Sequence, residues 1–501
     1  MHIHPLDLAI VVAYLLGVTA LGMHFRRSQT PPSVNQTVDR QAITRDYFLG
    51  GRTAPWWALA FSIVATETST LTIIGTPAIA YGGNLTFLQL VFGYLVGRVL
   101  IVLVLLPGYF RGDFFTAYAL IEKRFGQRMR AVAAGTFLIT RAIAEGVRVS
   151  AIALVLSVVL GTTTRLSVVI VIALTLLYTL EGGMKAVIWT DVAQLFIYLA
   201  GSVATFFVLL HSIPGGWNEV VQVAAAHGHK LQVFDFSFRL ATKYTFWSGL
   251  IGGAFLTMAS HGTDQTIVQR LLAARNQRDS QRALLTSGVI VLVQFTLFLL
   301  IGVLLYVFAQ HVPLLAPGEP ADRVLPLFLL REMPTGLAGL LLASIIAVAM
   351  SNASGSLNSL AASSVLDFAA LRSGARSPSN DRTFLRLSRR MTLFWGLVLM
   401  GFGLMTWGPL LEAGLTIASL PFGSLLGLFL LGTLNRRSNA TGALAGMFTG
   451  LITILCVWRL TNIAFTWYVL IGSGVTFLIG SLVSAFFLSS QFGKKAYDPA
   501  S

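Results

Sequence analysis

The chain has 501 residues, 55% of them hydrophobic and 11% charged, with a formal net charge of +15 and a mean hydropathy of +0.76. A soluble domain carries about 25% charged residues, so a water-soluble fold is excluded and lipid must be part of the solvent. The basic residues sit in short segments between apolar runs, which makes the excess positive charge a topology signal and not a nucleic-acid footprint.

The first apolar run, 6–24, is followed directly by Arg26 and Arg27 and has neither a basic segment before it nor a small-residue cleavage site after it. It reads as a retained helix and not as a signal peptide. Bilayer-length apolar stretches then recur at 55–82, 85–107, 131–160, 166–180, 187–211, 246–266, 284–310, 335–366, 390–410, 412–434, 440–459 and 465–488. The chain is therefore expected to be an all-α polytopic membrane protein of about thirteen transmembrane helices. Loops holding Arg26, Arg27, Arg40, Arg45 and Arg52, then Arg111 and Lys123–Arg130, then Arg270–Arg282, and later Arg386–Arg390, Arg436, Arg437, Lys494 and Lys495, carry most of the basic residues. The opposite loops hold few, such as Arg165, Lys230, Lys243 and Arg323. The positive-inside rule then puts the N-terminus outside and the C-terminus in the cytoplasm, a parity that needs an odd number of spans. The single cysteine, Cys456, lies in an apolar run. It excludes an internal disulfide framework and a cysteine-based metal site, and reads as a small hydrophobe.

Two spans have polar centres. In 55–82 the run Ala65-Thr66-Glu67-Thr68-Ser69-Thr70 is followed by Gly75 and Pro77; in 246–266, Gly252 and Gly253 precede Ser260-His261-Gly262-Thr263-Asp264-Gln265. Unwound backbone at membrane depth is tolerated only where it lines a cavity or is packed in protein. The two segments lie five helices apart, the spacing of two inverted five-helix repeats that each begin with a broken helix.

Several motifs, in order, carry a resemblance. Asp46-Tyr-Phe-Leu-Gly-Gly-Arg52, Glu181-Gly-Gly-Met-Lys-Ala-Val187 leading to Trp189-Thr-Asp191 and Gln194, His261–Gln265 leading to Val268-Gln-Arg270, and Pro326 with Pro334-Thr-Gly336 ahead of the serine-rich helix around Ser351 resemble the sodium:solute symporter family. The resemblance covers nearly the whole chain. It implies the leucine-transporter fold: an extra helix at 6–24, a first repeat at 55–211, a second at 246–434, and two further helices at 440–488. It implies no enzyme activity, no organic cofactor, and sodium as the coupling ion for a small-molecule solute.

The family's main sodium site, carried onto this chain, takes carbonyls from Ala65, Thr68 and Val348 and side chains from Ser351 and Asn352. A hard cation wants several oxygen ligands, and an unwound helix frees carbonyls for it. The family has Ser or Thr where this chain has Asn352. A second sodium set would use Asp191, Ser351 and Ser354, with Gly355 standing where a further serine is found. The other reading of Asp191 is a helix cap after Trp189-Thr190.

The substrate cavity is expected at the two breaks, with Glu67, Ser69 and Thr72 on one and His261, Asp264 and Gln265 on the other. Arg141, Glu145 and Arg148 share one helical face. Intramembrane charge is expensive and usually functional, so Arg141 and Arg148 either clamp a carboxylate or form a packing network with Glu145. Trp56, Trp57, Phe87 and Phe92 would stack on a sugar ring or act as interfacial and packing residues. The solute expected is a small organic anion, such as a monocarboxylate or acidic sugar. A neutral sugar read by Glu67, Ser69 and Gln265 is the alternative, because Glu67 repels an anion unless protonated or paired. The competing classes are a proton-coupled carrier, a channel, a transporter-like sensor and a membrane enzyme. No P-loop or HExxH pattern supports the last.

Overall fold

The computed structural model describes residues 4–24, 46–112, 114–160, 162–226, 229–368, 381–405 and 410–495. In chain order the main helices are α1 (Pro5–His24), α2 (Trp56–Glu67), α3 (Thr70–Gly82), α4 (Leu88–Phe110), α5 (Tyr118–Phe125), α6 (Gln127–Leu160), α7 (Thr164–Ser212) and α8 (Gly216–Ala226). They continue as α9 (Gly253–Gly262), α10 (Gln265–Leu272), α11 (Gln277–His311), α12 (Val324–Arg331), α13 (Leu337–Leu366), α14 (Asp381–Gly403), α15 (Leu410–Leu434), α16 (Ala440–Leu460) and α17 (Tyr468–Lys495). Among the described residues no strand forms; Ala54 and Ala274 make one isolated bridge. An all-helical design follows from the solvent, because helices satisfy their own backbone groups in lipid.

Both polar-centred spans are interrupted, as their composition predicts. Between α2 and α3 the chain bends by 67°, with Thr68 (ψ 123) and Ser69 (ψ 164) extended. Ser69 then restarts the helix: its hydroxyl accepts from Thr72 N while the Thr72 hydroxyl accepts from Ser69 N, a reciprocal cap. In the second span, Thr263 and Asp264 leave the helical region between α9 and α10. Asp264 accepts from Thr266 N at 2.7 Å and caps α10. Carbonyls freed at this break find partners: Tyr109 donates to Gly262 O at 2.6 Å and Tyr118 to Thr263 O at 3.3 Å.

Single turns of π-helix lie at Ile101–Leu105 within α4 and at Ser248–Gly252 ahead of α9. The first half of α4 touches the second of these turns backbone to backbone. A Cβ added at Gly93 would sit 2.1 Å from Gly249 O, so only a glycine permits this approach. Among the described residues, α13 is the most enclosed of the helices apolar enough to cross a bilayer. Its start is held by α1, where Asp7 Oδ1 accepts from Gly336 N and Gly339 N, each at 2.7 Å.

Some boundaries differ from expectation. The expected spans at 166–180 and 187–211 correspond to the apolar segments Thr164–Leu177 and Met184–Ser212, between which the helical backbone continues, so that both belong to α7. The polar stretch 211–244 contains α8. By length and apolarity alone, six helices among the described residues suit a bilayer crossing, seven with the bent α2–α3 pair. That criterion does not reproduce thirteen spans, since helices such as α6 carry charge at membrane depth. Cys456 is exposed on α16.

Candidate functional site

A cavity of about 220 Å³ opens at the two breaks. Glu67, Ser69 and Thr72 line it from the first, Ser260, His261 and Asp264 from the second, and Arg141 and Arg148 from α6. Phe87, Tyr94, Phe295 and Phe422 supply an aromatic wall, in which Phe87 and Phe295 stack at 5.5 Å. The other aromatics singled out in the sequence lie elsewhere: Trp57 meets Trp189 and Phe61 edge-on, and Phe92 stacks on Phe234.

Glu67 is paired. Arg98 of α4, fully buried, donates to its carboxylate, and His261 Nε2 lies 3.2 Å from the same oxygen. Arg98 also donates to Ser287 Oγ and Tyr94 O, each at 3.3 Å, while His261 Nδ1 meets Ser260 Oγ at 2.9 Å. Sequence reasoning missed Arg98. Its signal was a lone Arg inside the apolar run 85–107, which in lipid demands a partner.

The charged face of α6 is both a network and part of the cavity wall. Glu145 accepts from Arg148 Nη1 at 3.0 Å and from Ser356 Oγ at 2.9 Å, and lies 3.4 Å from Arg141 Nη2. Arg141 Nε donates to Ser356 Oγ at 2.9 Å, and Nη1 lies 3.7 Å from Asp264. Arg141 Nη2 is buried without a hydrogen-bond acceptor. Asp264 was expected in the cavity, but its approach to Arg141 was not foreseen.

Gln265 is a correction. It is fully buried, and its side chain accepts from Ala117 N at 2.7 Å and reaches Phe115 O at 3.5 Å. Standing on the first turn of α10, past the break, it fixes the chain ahead of α5 and does not line the cavity.

The main cation set is brought together: Ala65, Thr68, Val348, Ser351 and Asn352 are all buried where α13 meets the first break. Asn352 Nδ2 donates to Thr68 O at 2.5 Å and to Val348 O at 3.0 Å. The Thr68 hydroxyl accepts from Gln294 Nε2 at 2.7 Å and from Tyr198 OH at 3.2 Å. Ser351 Oγ donates to Asp191 Oδ1 at 2.7 Å.

Asp191 does not cap a helix; it lies in the interior of α7. Nor does it face serines alone. Arg270 Nη2 binds Asp191 Oδ2 at 2.8 Å and Arg270 Nε binds Ser62 Oγ at 2.8 Å, while Ser62 itself donates to Asp191. Arg270, read from sequence as a loop charge, is 1% exposed within α10. Its Nη2 stands 2.8 Å from where a Cβ on Gly355 would lie, so the guanidinium fills the space of the absent serine. The Ser354 hydroxyl turns to Ser351 O at 3.0 Å. The second cation set is thus not assembled around a free carboxylate.

The sodium:solute symporter family profile matches residues 47–450. The chain is 28% identical to the sodium/sialic acid symporter SiaT of Proteus mirabilis, over 97% of this chain and 96% of that protein. It is 30% identical to the human sodium/iodide cotransporter, over 83% of this chain and 65% of that one. Sodium-coupled monocarboxylate transporter 1 of Xenopus laevis is also 30% identical, over 83% and 67%. A solved Na+-coupled sialic acid symporter, in a substrate-bound outward-open state, superimposes with a TM-score of 0.86 at 27% identity, covering 96% of this chain and 98% of that one. A nucleobase-cation-symport-1 transporter shares the fold alone, with a TM-score of 0.54 at 14% identity.

Proposed function

The chain belongs to the sodium:solute symporter family, and from that premise we propose that it carries a small organic anion, such as a monocarboxylate or acidic sugar, into the cell together with sodium. It is a membrane carrier with the leucine-transporter fold and not an enzyme. The observation that carries the anion reading is the pair of guanidinium side chains, Arg141 and Arg148, that line the cavity from α6 against the single carboxylate of Glu145 on the same face. A solute carboxylate balances the second positive charge, and a guanidinium holds a carboxylate with two parallel bonds. The pairing of Glu67 with Arg98 supports the same reading, because it removes the repulsion that an unpaired Glu67 would exert. Relatives named for sialic acid and monocarboxylate transport move organic anions of this class.

In this reading Ser69, Thr72 and His261 meet the solute's hydroxyl or carbonyl groups, with Arg148 beside Arg141. Thr68 O, Val348 O, Ala65 O, Ser351 and Asn352 form the main sodium site. The protein sits in the inner membrane, N-terminus outside and C-terminus cytoplasmic, with repeats at 55–211 and 246–434 rocking about the cavity. A neutral sugar is the second reading, favoured by Asp264, which lies close enough to Arg141 to offset its charge.

Uptake into proteoliposomes by Arg141→Gln, compared across carboxylates and neutral sugars, separates the two. Loss of a direct clamp should weaken carboxylate binding by roughly 2–5 kcal/mol. Carboxylate uptake at parental affinity by both Arg141→Gln and Arg148→Gln would make these arginines structural and overturn the clamp, whereas parental uptake confined to neutral sugars would leave the neutral reading.

A further inference from the structure

The carbonyls assigned to the main cation site are already engaged from within the chain. Thr68 ends α2 in an extended conformation, so its carbonyl leaves the helical ladder at the break. The Asn352 amide nitrogen carries two protons and spends them on two acceptors, Thr68 O and Val348 O. The NH2 group therefore stands between two of the three proposed carbonyl ligands, where a cation would sit. The other end of the amide has no such match. Asn352 Oδ1 is buried and without a partner. It belongs to a side chain lining a narrow crevice with Thr70, Glu145 and Arg148. The Thr70 hydroxyl, in the same crevice, is also buried and without a partner. Buried polar groups are nearly always satisfied in native structures, so two orphans in one crevice call for an explanation.

We propose that Asn352 is an amide switch built into the main cation site. Without sodium, Nδ2 bridges Thr68 O and Val348 O in place of the cation. When sodium enters, the amide turns half a revolution about Cβ–Cγ. Oδ1 then becomes a ligand beside the same two carbonyls, and Nδ2 swings into the crevice to donate to the Thr70 hydroxyl. Each orientation suits one state only. An oxygen facing two carbonyl oxygens is repelled unless a cation lies between them, and an NH2 group cannot ligate a cation. Ser351 fits both states: its proton stays on Asp191, leaving oxygen lone pairs for the ion. A serine or threonine at 352 carries one proton and cannot bridge both carbonyls, so the switch belongs to the amide. This inference rests on sodium being the coupling ion. Its consequence is that sodium must displace two internal hydrogen bonds, so the empty site is stabilised and the ion binds more weakly than at a hydroxyl-lined site.

Radiolabelled sodium binding to the purified full-length protein in lipid nanodiscs, by scintillation proximity and without any solute, tests the switch. Asn352→Ser should lower the half-saturating sodium concentration about tenfold, the equivalent of one to two net hydrogen bonds no longer displaced. Asn352→Asp, which accepts but cannot donate, should also bind sodium more tightly than the parent. Thr70→Val should weaken binding by the parent and leave Asn352→Ser unchanged, since only the turned amide needs that hydroxyl. Tight binding by the parent, equal to Asn352→Ser and Asn352→Asp, overturns the switch while leaving sodium coupling intact. Equal shifts from Thr70→Val in both backgrounds also overturn it. No sodium binding by any of these proteins removes the switch and sodium coupling together.

Discussion

Arg98 shows how one buried charge organises the cavity. Its guanidinium is fully enclosed and meets Glu67, Ser287, the Tyr94 carbonyl and His261. Arg98→Met leaves Glu67 facing low dielectric unpaired, which should destabilise the protein by about 3–5 kcal/mol. Glu67→Gln in the same chain should recover much of that loss, because it removes the stranded charge; thermal unfolding of the purified single and double variants reads the difference. At the cation site, Ser351→Ala removes one proposed oxygen ligand and leaves Asp191 with one donor fewer. The expected result is a higher sodium requirement for transport, read as a rightward shift of the sodium activation curve. Site residues that lie on the two breaks were legible, because Glu67, Ser69, Thr72 and His261 are polar at membrane depth. Their partners were not, because Arg98 meets Glu67 from another helix and Arg270 meets Asp191 from 79 residues away. Arg270 was misread since it sits one turn before the basic cluster 275–282, and sequence distance alone does not separate a buried charge from a loop charge.

Among the elements, the broken helices were the most legible. Polar runs that include a carboxylate, Ala65–Thr70 and Ser260–Gln265, are costly in an otherwise apolar span unless the backbone opens onto a cavity. The continuity of helix between 166–180 and 187–211 was not, because no apolar run spans the residues between them. The start of α13 depends on α1. Gly336 adopts φ +90, a left-handed value that favours glycine, and the backbone N–H groups of Gly336 and Gly339 both donate to Asp7. A carboxylate at a helix N-terminus satisfies free donors and opposes the helix dipole. Asp7→Ala should therefore cost about 1–2 kcal/mol and lower the melting temperature without moving the solute or sodium sites. An unchanged melting temperature would show that α1 does not hold α13.

For the molecule as a whole, topology and coupling are linked. Lys243 is exposed in the segment before α9 and Arg275 is exposed between α10 and α11. The proposed orientation puts the first outside and the second in the cytoplasm. In a Cys456→Ser background, Lys243→Cys should react with a membrane-impermeant thiol reagent in intact cells, and Arg275→Cys only after permeabilisation. The reverse pattern would invert the topology. The most direct measurement of sodium-coupled organic-anion transport is uptake of a panel of small carboxylates and neutral sugars into proteoliposomes under an inward sodium gradient. Accumulation of a carboxylate that stops when a sodium ionophore collapses the gradient, and that Arg141→Gln abolishes, is the predicted result. Accumulation that follows a proton gradient and ignores sodium, or that is confined to neutral sugars, would contradict it.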